Sequence, residues 1–323
     1  MEEKKTVSQI VIDRFLKKVD EIDAMPWQRP YTCYNAFNYF TKVPYRGINR
    51  IMLDFGEYLT ANQINQYNKE HKEDYKFQKG IKWYPVIFFK EDSKSCTADE
   101  IVEHIENPDL SFEGYIGRDG YWSYYKIKDG FVKKRQILRY SMVAERKWFV
   151  NSKGETLPSR IETGEVEITL SDPKKVFDDY IERSGVELYT ESTGVPCYIP
   201  ALDRVELNKY SKSEKTWFST AFHECAHSTG AAKRLNRIGI TAKGRERTPQ
   251  IYAVEECIAE IAASLCCAEC GIYDFETSNM KDFENNAAYV AGWKKRVKDF
   301  DKEFIYICSQ ADKAFNYIMG MEI

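Results

Sequence analysis

His223-Glu224-Cys225-Ala226-His227 reads H-E-x-x-H, and these five residues decide how the C-terminal half of the chain is read. Two imidazoles four residues apart on a helix project from one face, one turn apart. That spacing lets both coordinate one small cation. Zinc, which prefers nitrogen and sulfur ligands, is the expected ion, with Mn2+ or another divalent ion left open. Glu224 follows the first histidine, turned by about 100° around the helix axis. It can reach a water on the ion without ligating the ion itself, and is expected to accept that water's proton as the catalytic base. The competing reading is a chance grouping, but the chain has only four histidines and the motif takes two of them.

Outward from the motif, Ser211 and Glu214 stand at capping-box spacing and are expected to open its helix. Trp217, Phe218, Ala221, Phe222, Cys225 and Ala226 form a buried apolar stripe, while Thr220, His223 and His227 face a cleft. Gly230 is expected to end the helix in a left-handed conformation. A third protein ligand is the norm for a catalytic zinc. Downstream, residues 252–270 are predicted as a long helix carrying Glu255, Glu256 and Glu260. Glu256 and Glu260 share a face. Glu256 is expected as the third ligand, and Glu260 as an outer-shell acceptor from the second N–H of a ligating histidine. Glu255 or Glu260 is the substitute ligand, and a solvated acidic stripe is the bland alternative. Alanines 253, 259, 262 and 263 let this helix approach the first closely.

The 323 residues are enough for two domains, and 43% hydrophobic with 30% charged residues is ordinary for a soluble protein. No apolar run approaches a membrane span and no signal-peptide core opens the chain, so a cytoplasmic protein is expected. Nine cysteines, an odd number, read as free thiols, with Cys266, Cys267 and Cys270 packed in a core rather than holding a metal. Residues 1–150 hold 25 Lys+Arg against 22 Asp+Glu, and residues 151–323 hold 22 against 28. The mildly basic first half permits a nucleic-acid partner.

In chain order, Thr6 and Gln9 are placed to cap a first helix, which runs to about Asp23. Trp27, Tyr31, Tyr34, Tyr39, Phe40 and Tyr45 then interleave with Arg29, Lys42, Arg46 and Arg50. Such aromatics can stack on unpaired bases while the guanidinium groups hold phosphates; core packing is the alternative. Residues 48–59 show a helical apolar pattern, and Thr60 with Gln63 caps a further helix through Asn68. Residues 83–90 read as a strand, 98–105 as a short helix, and Tyr115 to Tyr125 as hairpin strands. Residues 151–172 mix turn residues with one short strand pattern and are taken as a linker. Pro173 opens a helix through Arg183, residues 186–189 and 197–207 form a small sheet, and 231–250 make a basic loop. Helices over 285–298 and 302–319 close the chain.

These residues resemble the ArdC antirestriction proteins and related polyvalent proteins of mobile elements. The resemblance rests on H-E-C-A-H-S-T-G at 223–230, R-L-N-R at 234–237, Y-A-V-E-E-C-I-A-E at 252–260, E-N-N-A-A-Y-V-A-G-W at 284–293 and Q-A-D-K-A-F-N-Y-I at 310–318. Upstream it rests on P-W-Q-R-P at 26–30, P-Y-R-G-I-N at 44–49, K-G at 79–80 and P-V-I-F-F-K at 85–90. It departs at R-Y-S-M-V-A-E-R, 139–146, and at Trp83, where a glycine is expected. The resemblance implies an α+β protein of two domains. Residues 1–150 would form an ArdC-like domain binding single-stranded and also duplex DNA. Residues 173–323 would form a zincin-like metallopeptidase domain with a small sheet and an HExxH helix. It gives Trp27, Arg29, Tyr45, Arg46 and Asn49 a role in the DNA surface, and implies protection of incoming DNA during conjugation in a bacterial cytoplasm. Two alternatives stand beside this function. One is a cytosolic zinc metallopeptidase of the gluzincin type whose first domain recruits a protein substrate, and the other is a DNA-binding protein that metal merely stabilises.

Overall fold

Thr6 and Gln9 close a reciprocal capping box, with the Thr6 N–H donating to Gln9 Oε1 at 2.8 Å and the Gln9 N–H to Thr6 Oγ1 at 3.2 Å. They open α1, Val7–Ile22, as its spacing predicts. The structure, a computed structural model, describes residues 6–22, 36–99, 101, 114–116, 123–127, 130–160, 170–209, 213–272, 292, 293, 295, 297 and 299–321. It divides into two compact units, one of residues 1–84 with 143–323 and the other of residues 85–142.

In the first unit, β1 (Ala36–Asn38) leads to α2 (Ile48–Met52), β2 (Gly56–Leu59), α3 (Ala61–His71) and β3 (Lys76–Phe77). The expected helical pattern over 48–59 gives only one short helix and then a strand. Gly56, at φ +150°, takes a backbone conformation open to glycine alone, and Tyr58 and Leu59 pair with Glu145 and Ala144. Sheet pairing overrides the local pattern there. The Thr60–Gln63 capping box forms as expected, and its helix runs on to His71. Tyr39, Leu59, Ile64, Tyr75, Ala144, Phe149 and Leu157 make one core.

The second unit holds β4 (Tyr84–Cys96) from Pro85 on, β5 (Gly114–Ile116), β6 (Ser123–Ile127) and β7 (Gly130–Glu145) as far as Met142. β5, β6 and β7 form an antiparallel meander, and β4 also pairs with β7. Tyr115 lies opposite Tyr124, which realises the expected hairpin, and Tyr124 is buried with Ile101. Of the short helix expected over 98–105, Ala98, Asp99 and Ile101 are helical and the rest lies outside the described residues.

Returning to the first unit, β8 (Phe149–Val150) pairs with β3. Asp172 caps α4, Pro173–Ser184, with Pro173 in the first turn as predicted. β9 (Glu187–Ser192), β10 (Cys197–Ile199) and β11 (Arg204–Asn208) form a sheet in the order β10-β11-β9. β11 is antiparallel to β10 and parallel to β9. The motif helix α5 spans Glu214–Thr229. Its cap is Ser213, not Ser211, which lies outside the described residues; the Ser213 hydroxyl accepts the Thr216 N–H at 3.2 Å. After the short α6 (Ile238–Thr241), Thr248 caps α7, Pro249–Glu269. This helix starts earlier than the expected Tyr252, because Thr248 followed by Pro249 is itself a helix-opening pair. α8 covers Phe300–Met319, and most of the helix expected over 285–298 lies outside the described residues.

α7 packs on α5 and α8, and Ala259, Ala262 and Ala263 are buried in that contact region, so the small side chains do allow a close approach. Cys266, Cys267 and Cys270 are buried at the end of α7 and in no disulfide, in keeping with core packing. Gly271, at φ +63°, ends that helix in the left-handed conformation. Gly230 does not: its φ is −75°. The small residue is needed there for room, since a Cβ would lie 2.6 Å from Ile240 Cγ1 and 2.9 Å from Arg237 Nη2.

Candidate metal centre

The 3.6-residue period of α5 brings His223 and His227 together, with ring centroids 4.8 Å apart and their Nε2 atoms 3.2 Å apart. α7 supplies the carboxylate between them. Glu256 Oε2 is 3.6 Å from His223 Nε2, and its Oε1 is 3.6 Å from His227 Nε2. One ligand atom from each of the three residues lies within 4.8 Å of the others, a spacing that can hold a metal ion. Two imidazole nitrogens and a carboxylate oxygen also fit in kind, since that donor set suits zinc and several other divalent ions. These groups line a cleft of about 430 Å³ with Val195, Cys197, Tyr198, Arg247 and Tyr252.

Glu224 sits in the same cleft. The Tyr198 N–H, on β10, donates to Glu224 Oε2 at 2.7 Å and so fixes the carboxylate from the sheet side. Burial raises the Glu224 carboxyl above the usual range, against the lowering effect of the two histidines. The close contact with His223 holds Glu256 down, at about 2, despite its burial. Tyr252, one turn before Glu256, hydrogen-bonds it and is itself pushed up to about 12.

Each imidazole has a further carboxylate behind it. Glu255 Oε1 faces His227 Nδ1 at 3.3 Å, and Glu260 Oε2 faces His223 Nδ1 at 3.6 Å. The first distance is within hydrogen-bond reach and the second is an ion-pair contact only. Glu255, expected only as a substitute ligand, is the one that is locked in place. It is 2% exposed and pinned by Arg237, with Nε to Oε2 at 2.9 Å and Nη2 to Oε1 at 2.5 Å. Burial alone would raise its carboxyl, but Arg237 and His227 hold it below the usual range.

The other arginine of R-L-N-R, Arg234, donates to the Ser228 carbonyl at 2.7 Å and forms an ion pair with Asp203, which in turn accepts the Tyr198 hydroxyl at 2.7 Å. The turn at 234–237 therefore braces both the sheet that touches Glu224 and the glutamate that touches His227. Sequence reasoning left these arginines in a basic loop. The usable signal was Glu255 itself: it follows Val254 and precedes the apolar positions 257–259 of a buried helix, and a carboxylate buried there needs a cation.

Among the residues expected at a DNA surface, Trp27 and Arg29 lie outside the described residues. Tyr45, Arg46 and Asn49 fall together at the turn into α2. Tyr45 is half-buried, its ring 6.4 Å from that of Tyr58, and burial raises its hydroxyl pKa. Arg46 is exposed and Asn49 half-buried. Among the described residues no helix is long and apolar enough to cross a membrane.

Comparison with known proteins agrees with this geometry. Residues 175–311 match the zincin-like metallopeptidase family, and residues 5–113 match the N-terminal domain of anti-restriction factor ArdC. DNA primase TraC of Escherichia coli is 25% identical across all of this chain, which spans 20% of that protein's length. Uncharacterized protein y4eC of Sinorhizobium fredii (strain NBRC 101917 / NGR234) is 24% identical over 39% of this chain and 38% of its own. Two crystal structures of the antirestriction ArdC protein from the R388 plasmid share the fold. The metal-free one has a TM-score of 0.59 at 22% identity and covers 99% of this chain and 100% of that one. The Mn(II)-bound one has a TM-score of 0.58 at 22% identity and covers 98% of each chain. An HExxH helix beside a small sheet, crossed by a helix that offers a glutamate, defines a zincin-like domain. With the match to the N-terminal domain of anti-restriction factor ArdC ahead of it, the chain carries the two domain types in an ArdC-like order.

Proposed function

We propose that this chain is a DNA-binding antirestriction protein whose zincin-like domain holds a divalent cation, Zn2+ or Mn2+, on His223, His227 and Glu256. The observation that carries the reading is the placement of these three donors and Glu224 in one cleft. When bound, a divalent cation supplies Lewis acidity toward a carbonyl and makes water acidic. Glu224 is the general base that takes a proton from the attacking water and returns it to the departing amine. The Tyr198 N–H keeps that carboxylate aimed into the cleft, and Tyr252 steadies Glu256.

The first domain carries the DNA function in this reading. Trp27, Arg29, Tyr45, Arg46 and Asn49 contact single-stranded DNA, and duplex DNA as well, through ring stacking and phosphate pairing. What supports it is the ArdC match over 5–113 and the exposed Arg46 beside Tyr45. The protein substrate is one that meets incoming DNA during transfer between bacterial cells.

The deciding experiment is the transfer of unmodified plasmid DNA into a restricting host, with wild-type protein or Glu224→Gln. The variant is expected to take up Zn2+ as the wild type does and to lose roughly 10²–10⁴ of any hydrolytic step, and protection with it. Full protection by Glu224→Gln would defeat the catalytic half of the reading and leave DNA binding as the function.

A further inference from the structure

We infer that Arg237 and Glu255 form a positioning pair. The pair commits the Nδ1–H of His227 to Glu255 and presents its Nε2 to the cation site before any cation arrives. A neutral imidazole carries one proton, and the partner of one nitrogen decides which tautomer exists. Glu255 Oε1 stands 3.3 Å from His227 Nδ1, while His227 Nε2 faces His223 and Glu256. An accepting carboxylate at Nδ1 leaves Nε2 with its lone pair free to ligate.

The pair is built to stay where it is. Arg237 spends its fork on four contacts: both oxygens of Glu255, the Thr229 hydroxyl at 2.7 Å and the Ala226 carbonyl at 2.8 Å. Ala226 and Thr229 flank His227 on α5, so the same guanidinium grips the backbone that carries the ring. Two glycines clear the space. A Cβ at Gly239 would lie 2.5 Å from Glu255 Cβ, and one at Gly230 would lie 2.9 Å from Arg237 Nη2.

Stability does not explain such an arrangement. Arg237 and Glu255 are each 2% exposed, and a buried ion pair of this kind is often no more stabilising than an apolar pair of the same size. Glu260, the corresponding carboxylate behind His223, has no such arginine clamp among the described residues: it is 3.6 Å away and part-exposed. The two halves of the site are therefore unequal, with His227 fixed and His223 adjustable.

The functional meaning of the pair rests on the cation reading proposed above, but the ring itself can be observed without a cation. The test uses the full chain with 15N-labelled histidine; four histidines give a resolvable spectrum. In metal-free wild type, His227 is expected to show a protonated Nδ1 and a bare Nε2. Glu255→Gln should abolish that signature and weaken Zn2+ binding, followed by calorimetry, by about 10–100-fold. The double variant Arg237→Met with Glu255→Gln removes both buried charges, so a loss of folding in the single variant does not end the test, and it should show the same loss. Wild-type ring shifts, or Zn2+ affinity within about twofold of wild type, in either folded variant would overturn the inference. A wild-type chain that takes up neither Zn2+ nor Mn2+ would refute the cation reading alone. The pair would then be judged by the ring shifts, and a His227 with its proton on Nε2 would overturn it.

Discussion

Glu256 and Asp203 show how differently two carboxylates act at this site. Glu256 reaches both imidazoles from a neighbouring helix. Its replacement by glutamine is expected to weaken Zn2+ uptake by more than the roughly 10–100-fold typical of outer-shell changes, as read by calorimetry on the folded variant. Asp203 instead pairs with Lys233 and Arg234 and accepts the Tyr198 hydroxyl. Burial pushes its carboxyl up, but hydrogen bonds from Arg234, Lys233 and Tyr198 outweigh this and hold it well below the usual range. A carboxyl depressed in the folded state stabilises the protein above its unfolded value of about 3.9, and that stability is lost as the pH falls through the lower folded value. Asp203→Asn should therefore lower stability at pH 7 and flatten the loss of stability below about pH 4. Urea unfolding at several pH values checks this. Asparagine also suits the left-handed φ of +48° at this position, so the comparison isolates the charge.

At the scale of elements, α5 was legible in outline and α7 less so. The i,i+4 histidines and the apolar stripe of α5 follow from local periodicity, as do the capping boxes at Thr6 and Thr60. Gly230 was misread because a glycine at a helix end has two possible reasons, and only the position of Ile240 and Arg237 tells them apart. Gly230→Ala is therefore expected to destabilise by about 1–3 kcal/mol through overpacking, and to perturb the Arg237 contacts. A left-handed cap would have given a similar loss without disturbing Arg237. Thermal unfolding together with the His227 ring signals separates the two. The strand at 56–59 was read as helix because its apolar spacing is ambiguous over so few residues, and pairing with β7 settled it.

Across the whole molecule, Arg50 joins an early part of the chain to its last helix. It donates to Asp312 at 2.9 Å and to Asn316 at 3.1 Å, with the Phe315 ring 4.9 Å away. Both members of the ion pair are buried. Arg50→Ala should cost about 3–5 kcal/mol by leaving Asp312 unpaired, and Arg50→Met with Asp312→Leu much less; urea unfolding of both variants measures the difference. This contact, with the pairing of β2 to β7 and of β3 to β8, joins residues 1–84 to 143–323 in the first compact unit, whereas the two family matches lie on either side of the expected linker at 151–172. DNA affinity of the whole chain, measured by gel shift with single-stranded and duplex oligonucleotides, should fall steeply as salt rises. Removal of Arg46 should reduce that slope by about one phosphate contact.

The sequence by itself determined that two imidazoles and a carboxylate share one turn of helix, and that Thr6 and Thr60 open capping boxes. Those features depend on spacing along a single backbone. Which glutamate stands behind which imidazole, and which arginine holds it, was decided only when α7 crossed α5. On an isolated helix Glu255, Glu256 and Glu260 differ merely in azimuth, and the approach of a second helix turns that difference into a carboxylate facing both imidazoles, a buried clamp and a half-exposed neighbour.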